Sequence, residues 1–260
     1  MNLINQQLKK IKQEKRLGLM THVVIGYPIL EDTCQVVKLM AAEGVDFIEL
    51  QIPFSDPLGD GPVIRAANAR ALAKGVKVAD AFRLAEELTK EIKIPLLFMT
   101  YLNIAYMYGL KKFCQDARAA GISGLIIPDY NPTLEGREHF EEFAKENELI
   151  LIRFAALGSS TERLKSLAKE EKGFVYCFSS YGVTGARKEL DPRLTAHLQK
   201  LRGIFKQPLA VGFGISSARH IKRLKGRADI VVAGSVFLQC LKTGGLASIR
   251  RKMQELVGAL

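Results

Sequence analysis

Residues 47–64 read FIELQIPFSDPLGDGPVI, and the fold turns on how this stretch is parsed. Phe47–Ile52 is apolar apart from Glu49 and Gln51, as expected of a buried strand. Side chains alternate faces along a strand, so Glu49 and Gln51 share one face while Ile48 and Leu50 take the other. A carboxylate in an apolar strand is costly to bury unless it is paired or faces a wet cavity. Pro53 ends the strand. The loop beyond it carries Asp56 and Asp60, the second flanked by Gly59 and Gly61, and leads into a helix. Glu49 at a strand end with an aspartate on the next loop suits a general acid/base pair. Ser-Asp-Pro and Asp-Gly-Pro also suit an ordinary acidic turn.

The same strand, loop and helix unit recurs in both directions. Upstream, Leu19–Ile25 reads as a first strand, with a turn at Gly26-Tyr27-Pro28 and a helix from Asp32 or Thr33 to about Ala42. Helical periodicity follows the second strand at Val63–Ala73 and Val78–Glu91. Ile94–Met99 is a third strand, ending in Thr100-Tyr101-Leu102-Asn103, and Leu110–Ala120 is its helix. Gly124–Pro128, Leu149–Ala155, Gly173–Phe178, Pro208–Gly212 and Asp229–Ala233 read as strands four to eight. Their helices are Thr133–Glu148, Ser160–Glu170, Asp191–Arg202, Ser216–Lys225 and Val236 onward. Ser159, Ser160 or Thr161 can cap the second of these. Ser179–Leu190, with Gly182 and Gly185, reads as a mobile loop.

Eight such units in 260 residues imply an α/β protein, a single (β/α)8 TIM barrel over residues 1–260 with an extra N-terminal helix around Ile4–Lys15. A doubly wound open sheet is the alternative, but no G-x-G-x-x-G follows the first strand. In a barrel, chemistry gathers on the loops after the C-terminal ends of the strands. Glu49, Tyr101, Asp129, Gly182–Gly185, Gly212-Phe213-Gly214 and Gly234-Ser235 all fall there. Gly-Phe-Gly-Ile-Ser-Ser and Gly-Ser before the last two helices suit a phosphate cradle, since helix N-termini offer unpaired N–H groups and glycine allows close approach. The same glycines and serines would also serve simply to turn the chain and cap helices.

Composition narrows the function classes. The chain is 48% hydrophobic and 25% charged, ordinary for a soluble globular protein. It has no membrane-length apolar run, and its polar N-terminus lacks the apolar core of a signal peptide, so a cytoplasmic protein is expected. Cys34, Cys114, Cys177 and Cys240 are scattered without a C-x-x-C pair, and His22, His139, His197 and His220 show no ligand spacing, so neither a metal site nor a disulfide framework is expected. The net charge of +11 raises nucleic acid as a partner. The basic clusters Lys9–Arg16, Arg219–Arg227 and Arg250–Lys252 lie on helical segments with few aromatics between them, which suits solvated faces better than a base-stacking platform.

With these pieces placed, the chain resembles the tryptophan synthase alpha subunits over nearly its whole length. The most specific match is IPFSDPLGDGP (52–62); YGVTGAR (181–187), GFGIS (212–216) and AGS (233–235) follow in order. The resemblance implies a lyase that splits indole-3-glycerol phosphate into indole and glyceraldehyde 3-phosphate by a cofactor-free retro-aldol reaction, in L-tryptophan biosynthesis. It implies Glu49 as the acid/base that protonates indole C3 and assists loss of the glycerol hydroxyl proton. Asp60 is implied as the carboxylate that accepts from the indole N–H and stabilises charge on the ring. Tyr176, Phe213, Met99 and Ile126 are implied as pocket residues, and Gly185, Gly214, Gly234 and Ser235 as phosphate contacts. Thr184 is implied to lie on a loop that closes over the site. The resemblance further implies a pyridoxal-phosphate-dependent beta subunit as partner in an alpha2beta2 complex that receives indole through a tunnel. The loop with Pro53 and Asp56 and the loop at 179–190 would face it.

The sequence departs from that pattern at named positions. Gln51 stands where the family usually has glycine, on the Glu49 face, where it would crowd the pocket or hydrogen-bond Glu49. His22 stands in place of a pocket phenylalanine, as a stacking substitute or a core histidine. FAALGSS (154–160), Asp129-Tyr130-Asn131-Pro132 and Ile104 also differ. Two other readings therefore stand beside the active lyase: a regulatory subunit that sets the conformation of its partner, and a barrel acting on a different phosphorylated substrate.

Overall fold

The computed structural model describes residues 1–132, 139–170, 172–178, 192–212 and 214–260. Its first half runs α1 (Leu3–Gln13), β1 (Gly18–Val24), α2 (Leu30–Ala42), β2 (Phe47–Gln51), α3 (Pro62–Ala73), α4 (Val78–Glu91), β3 (Leu96–Met99), α5 (Leu102–Tyr108), α6 (Leu110–Ala119) and β4 (Gly124–Ile126). Its second half runs α7 (Phe140–Glu146), β5 (Ile150–Leu151), β6 (Arg153–Ala155), α8 (Thr161–Leu167), β7 (Val175–Phe178), α9 (Leu194–Arg202), β8 (Leu209–Gly212), α10 (Ala218–Leu224), β9 (Ile230–Ala233) and α11 (Ser235–Val257).

The strands hydrogen-bond in the order β5-β4-β3-β2-β1-β9-β8-β7-β6, all pairs parallel. The expected strand Leu149–Ala155 is divided at Ile152, whose N–H still reaches the Leu125 carbonyl at 2.9 Å. Its first part pairs with β4 and its second with β7. A tilted strand in a closed barrel is staggered against its two neighbours and meets each over a different part of its length. β5 and β6 are therefore one barrel strand, and the ring of eight closes through it.

Period-two alternation sorts the strand side chains into two cores. Met20, Phe47, Leu97, Ile152, Phe174 and Ile230 fill the barrel interior, and Leu19, Ile48, Phe98, Leu125, Val175 and Val231 pack outward against the helices. The bottom of the barrel is closed by α1, whose Ile4 and Ile11 belong to the interior core. Glycine opens β1 and β4 where these side chains enter: a Cβ on Gly124 would lie 2.7 Å from Ile4 Cδ1, and one on Gly18 2.7 Å from Ile11 Cδ1. Asp46 anchors the turn before β2 with a two-point ion pair to Arg16, at 2.7 Å through each nitrogen, and accepts the Leu19 N–H at 2.8 Å.

Elsewhere the differences from the sequence reading have local causes. β3 ends at Met99 as expected, and the segment after it already turns into α5 at Leu102, whose N–H donates to the Asp129 carboxylate at 2.9 and 3.1 Å. That carboxylate comes from the loop after β4, a cap that adjacent sequence cannot reveal. The expected helix Thr133–Glu148 is present as α7 from Phe140, and 133–138 lie outside the described residues. In α8 the cap is Ser160, whose hydroxyl accepts from the Arg163 N–H at 3.2 Å. The last helix is interrupted at Gly244 and Gly245, where the backbone leaves helical geometry. No helix among the described residues is long and apolar enough to cross a membrane.

Candidate active site

Phe47, Glu49 and Gln51 alternate onto the inner face of β2, which brings two polar side chains to the top of an apolar barrel. Both are buried, Glu49 at 2% and Gln51 at 0% exposure. The register pairs His22 on β1 with Glu49, and His22 Nδ1 lies 3.0 Å from Glu49 Oε2. Whenever the carboxylate is ionised it only accepts, and Nδ1 is then the donor. Gln51 does not bond Glu49 but donates its amide to Asp60 Oδ2 at 2.7 Å. Each of the two carboxylates thus has its own neighbouring partner.

Asp60 is set by the loop that joins β2 to α3. Its N–H bonds the Pro57 carbonyl at 3.0 Å, and the Gly59 N–H donates to the Tyr101 hydroxyl at 3.1 Å. Asn68 on α3 accepts the Phe54 N–H at 2.9 Å and fastens the start of the loop. Pro62 then opens α3, a position where its missing N–H costs nothing. In the outer part of the loop Pro53 is buried, Asp56 is exposed, and Leu58 is 86% exposed.

The electrostatics follow from burial and these contacts. Burial raises the Asp60 carboxyl above its ordinary value, and Gln51, His22 and Tyr101 oppose it without cancelling it. Burial disfavours the His22 imidazolium, but the hydrogen bond and charge of Glu49 more than offset this, with help from Asp60, so His22 is raised. Burial raises the Tyr101 and Tyr176 phenols, and the acidic neighbours raise them further, so both stay protonated.

His22, Glu49, Asp60, Tyr101 and Tyr176 line one cavity of about 700 Å³ including the solvent at its mouth. Met99, Ile126 and Tyr176, the expected pocket residues on β3, β4 and β7, form its apolar wall. Gly214, Gly234 and Ser235 line it from the loop after β8 and the start of α11. Gly214 has φ +97°, which a residue with a side chain resists. The expected residues Thr184, Gly185 and Phe213, and the loop 179–190, lie outside the described residues.

A family model described as tryptophan synthase alpha chain matches residues 8–258. The chain belongs to the tryptophan synthase alpha chain family. A tryptophan synthase alpha chain of Desulfotalea psychrophila is 44% identical over 92% of this chain and 93% of the relative. One from Desulforapulum autotrophicum is 38% identical over 98% and 100%. The fold matches a structure of Mycobacterium tuberculosis tryptophan synthase with TM-score 0.91 at 30% identity, covering 98% of this chain and 97% of that one. It matches a tryptophan synthase alpha chain from Legionella pneumophila at TM-score 0.89 and 27% identity, covering 100% and 97%. As an alpha chain it catalyses the alpha reaction of tryptophan biosynthesis, the cleavage of indole-3-glycerol phosphate.

Within this alpha chain, Tyr101 was expected only as a strand-end residue, and Phe154 and Phe178 carried no role in the sequence reading. Tyr101 receives the Gly59 N–H and packs on Phe54 with ring centres 5.2 Å apart. Phe154 on β6 stacks on Tyr176 at 5.3 Å and on Phe178 at 5.4 Å. The signal for Phe178 was its place two residues after Tyr176, on the same face of one strand. Phe154 gave less warning, because only closure of the barrel sets β6 beside β7.

Proposed function

We propose that the alpha reaction is divided between the two buried carboxylates, with Glu49 as the acid/base and Asp60 as the electrostatic partner of the indole ring. Cleavage needs a proton at indole C3, which leaves positive charge on the ring nitrogen. As the glycerol hydroxyl loses its proton, its oxygen becomes the aldehyde carbonyl. The electron pair of the broken C–C bond returns to the ring and neutralises the nitrogen. One proton is gained at carbon and one lost from oxygen, so Glu49 ends each turnover as it began. Asp60, ionised, stabilises the transient cation through the indole N–H.

The observation that carries this reading is the grouping of Glu49, Asp60 and the Gly214, Gly234 and Ser235 backbone around one cavity. Ser235 begins α11 and Gly234 caps it, so the positive end of that helix faces the cavity as an anion site for the phosphate. Met99, Ile126 and Tyr176 supply the apolar wall for indole. Thr184, Gly185 and Phe213 complete the proposed substrate-binding set. The chain works in the cytoplasm with a beta subunit in an alpha2beta2 complex. The exposed Asp56 and Leu58 fit the partner-facing part of the loop after β2.

The test is indole release from indole-3-glycerol phosphate, with and without a beta subunit. Glu49→Gln is expected to lower kcat by about 100-fold or more, and Asp60→Asn by about 100-fold. A wild type that releases no indole while raising beta turnover would replace the lyase with a regulatory subunit.

A further inference from the structure

Glu49 is held on one side only. Its Oε2 meets His22 Nδ1 at 3.0 Å, while Oε1 is buried and has no partner among the described residues. Both side chains line the cavity. His22 is itself fixed: it is 5% exposed and sits on β1, which is hydrogen-bonded to β2 on one side and β9 on the other. Gly234 backs onto it so closely that a Cβ there would lie 3.2 Å from His22 Cβ. Its Nε2 is buried and makes no hydrogen bond among the described residues; the Gln51 side chain lies near enough to favour the protonated ring, and the bond from Nδ1 to Glu49 fixes its orientation.

We propose that His22 is a positioning residue for the alpha reaction: by holding Oε2 of Glu49 through Nδ1, it presents Oε1 alone to the substrate. A glutamate has three side-chain torsions to fix, and a buried carboxylate oxygen without a donor is costly. One ring nitrogen opposite Glu49 in the register limits the torsions and satisfies Oε2, and leaves only Oε1 in need of a donor. Phenylalanine at this position, as the family resemblance implies, fills the same wall but offers no donor. Among the described residues, the groups facing His22 are Glu49 and Gln51 on β2, Asp60 on the following loop and, beside Glu49, Tyr176 on β7. β9 and the turn after it bring only Val232, Gly234 and Ser235. Among the described residues the charges facing the ring are negative, and the hold is strongest while the imidazole is protonated. Charged donors make stronger hydrogen bonds than neutral ones.

The proposal rests on Glu49 being the acid/base, and the experiment separates the two. Indole release is measured against pH in the complex with a beta subunit for wild type, His22→Phe and His22→Gln. His22→Phe is expected to lower kcat by about tenfold or more while KM changes by less than about twofold. His22→Gln retains an amide donor and is expected to recover kcat to within about threefold of wild type. Wild-type kcat is expected to decline on the alkaline side as the imidazolium loses its proton, and His22→Gln to lack that limb. In parallel, the His22 ring is titrated by NMR in wild type and Glu49→Gln, where loss of the carboxylate is expected to lower its pKa. An alkaline limb that persists in His22→Gln, or an active His22→Phe with wild-type kcat, overturns the positioning role. An unchanged His22 titration in Glu49→Gln overturns it without recourse to activity. A wild type with no indole release overturns the reading beneath it, whichever way the titration falls.

Discussion

Gln51 donates its side-chain amide to Oδ2 of Asp60 at 2.7 Å, joining the last residue of β2 to the loop that enters α3. The residue that interrupts the family pattern is thus a ligand of one of its two carboxylates. Burial already raises the Asp60 carboxyl, and Gln51 is the largest influence holding it down. Removing the amide in Gln51→Ala leaves burial less opposed, and the carboxyl rises further. In its proposed role Asp60 must be ionised to balance charge on the indole nitrogen, so activity is expected to fail at a higher pH as the solution is acidified. The check is kcat against pH at saturating substrate: the acid limb moves to higher pH in Gln51→Ala. An acid limb that stays in place would remove Gln51 from the control of Asp60.

His22 makes a second, opposite contribution, this time to stability. Its folded pKa is raised, because Glu49 and Asp60 together outweigh the burial that opposes the charge. A base raised on folding adds stability that is fully present below its unfolded value, about 6.5, and is lost as pH rises through the folded value. The stability difference between wild type and His22→Gln is therefore expected to be largest just below about pH 6.5 and to shrink toward alkaline pH. Urea unfolding at a series of pH values measures it, and a difference that grows with pH would contradict the ion pair.

The division between what the chain shows and what it hides falls at the barrel's interior. Alternation along FIELQ placed Glu49 and Gln51 on one face, and recurring strand-helix units gave the closed barrel, because both are properties of neighbours in sequence. The partner of each carboxylate was hidden. His22 meets Glu49 through the β1–β2 register, and Gln51 meets Asp60 only because the loop folds back over the strand end. Asp129 capping α5 is a third case, a contact across 27 positions. Period-two alternation says that a polar side chain points inward, and only tertiary closure says what it meets.

Gly212 is set by close approach rather than by a turn. A Cβ there would lie 2.5 Å from the Tyr176 hydroxyl oxygen and 2.7 Å from its Cε1. The ring stacks on Phe154 at 5.3 Å, so it has little room to retreat. Gly212→Ala is expected to displace the Tyr176 ring into the cavity and cost about 1–3 kcal/mol of stability. Because Tyr176 forms part of the wall proposed for indole, KM should rise as well. Indole-release kinetics together with denaturant unfolding check both effects. A variant that loses stability but keeps its KM would place the ring outside the substrate's reach.

The barrel's two ends divide stability from catalysis, and Ile4 tests the division. Ile4 is fully buried, its Cδ1 seated over Gly124 at the start of β4. Asn2 locks α1 in place: its Oδ1 accepts the Ile4 N–H at 2.9 Å, and its amide donates to the Ser123 and Glu148 carbonyls at 2.8 Å each. Ile4→Ala removes a large aliphatic group from a site that the rigid strands around it cannot collapse to fill, at a cost of about 2–5 kcal/mol. Asn2→Ala loses the cap and is expected to cost about 1 kcal/mol. Glu49 and Asp60 lie at the opposite ends of the strands, so KM for indole-3-glycerol phosphate is expected to change by less than about twofold in either variant. Denaturant unfolding and steady-state kinetics below the unfolding transition read the two separately. A KM that rises in step with lost stability would show that the α1 plug sets the shape of the cavity through the interior core.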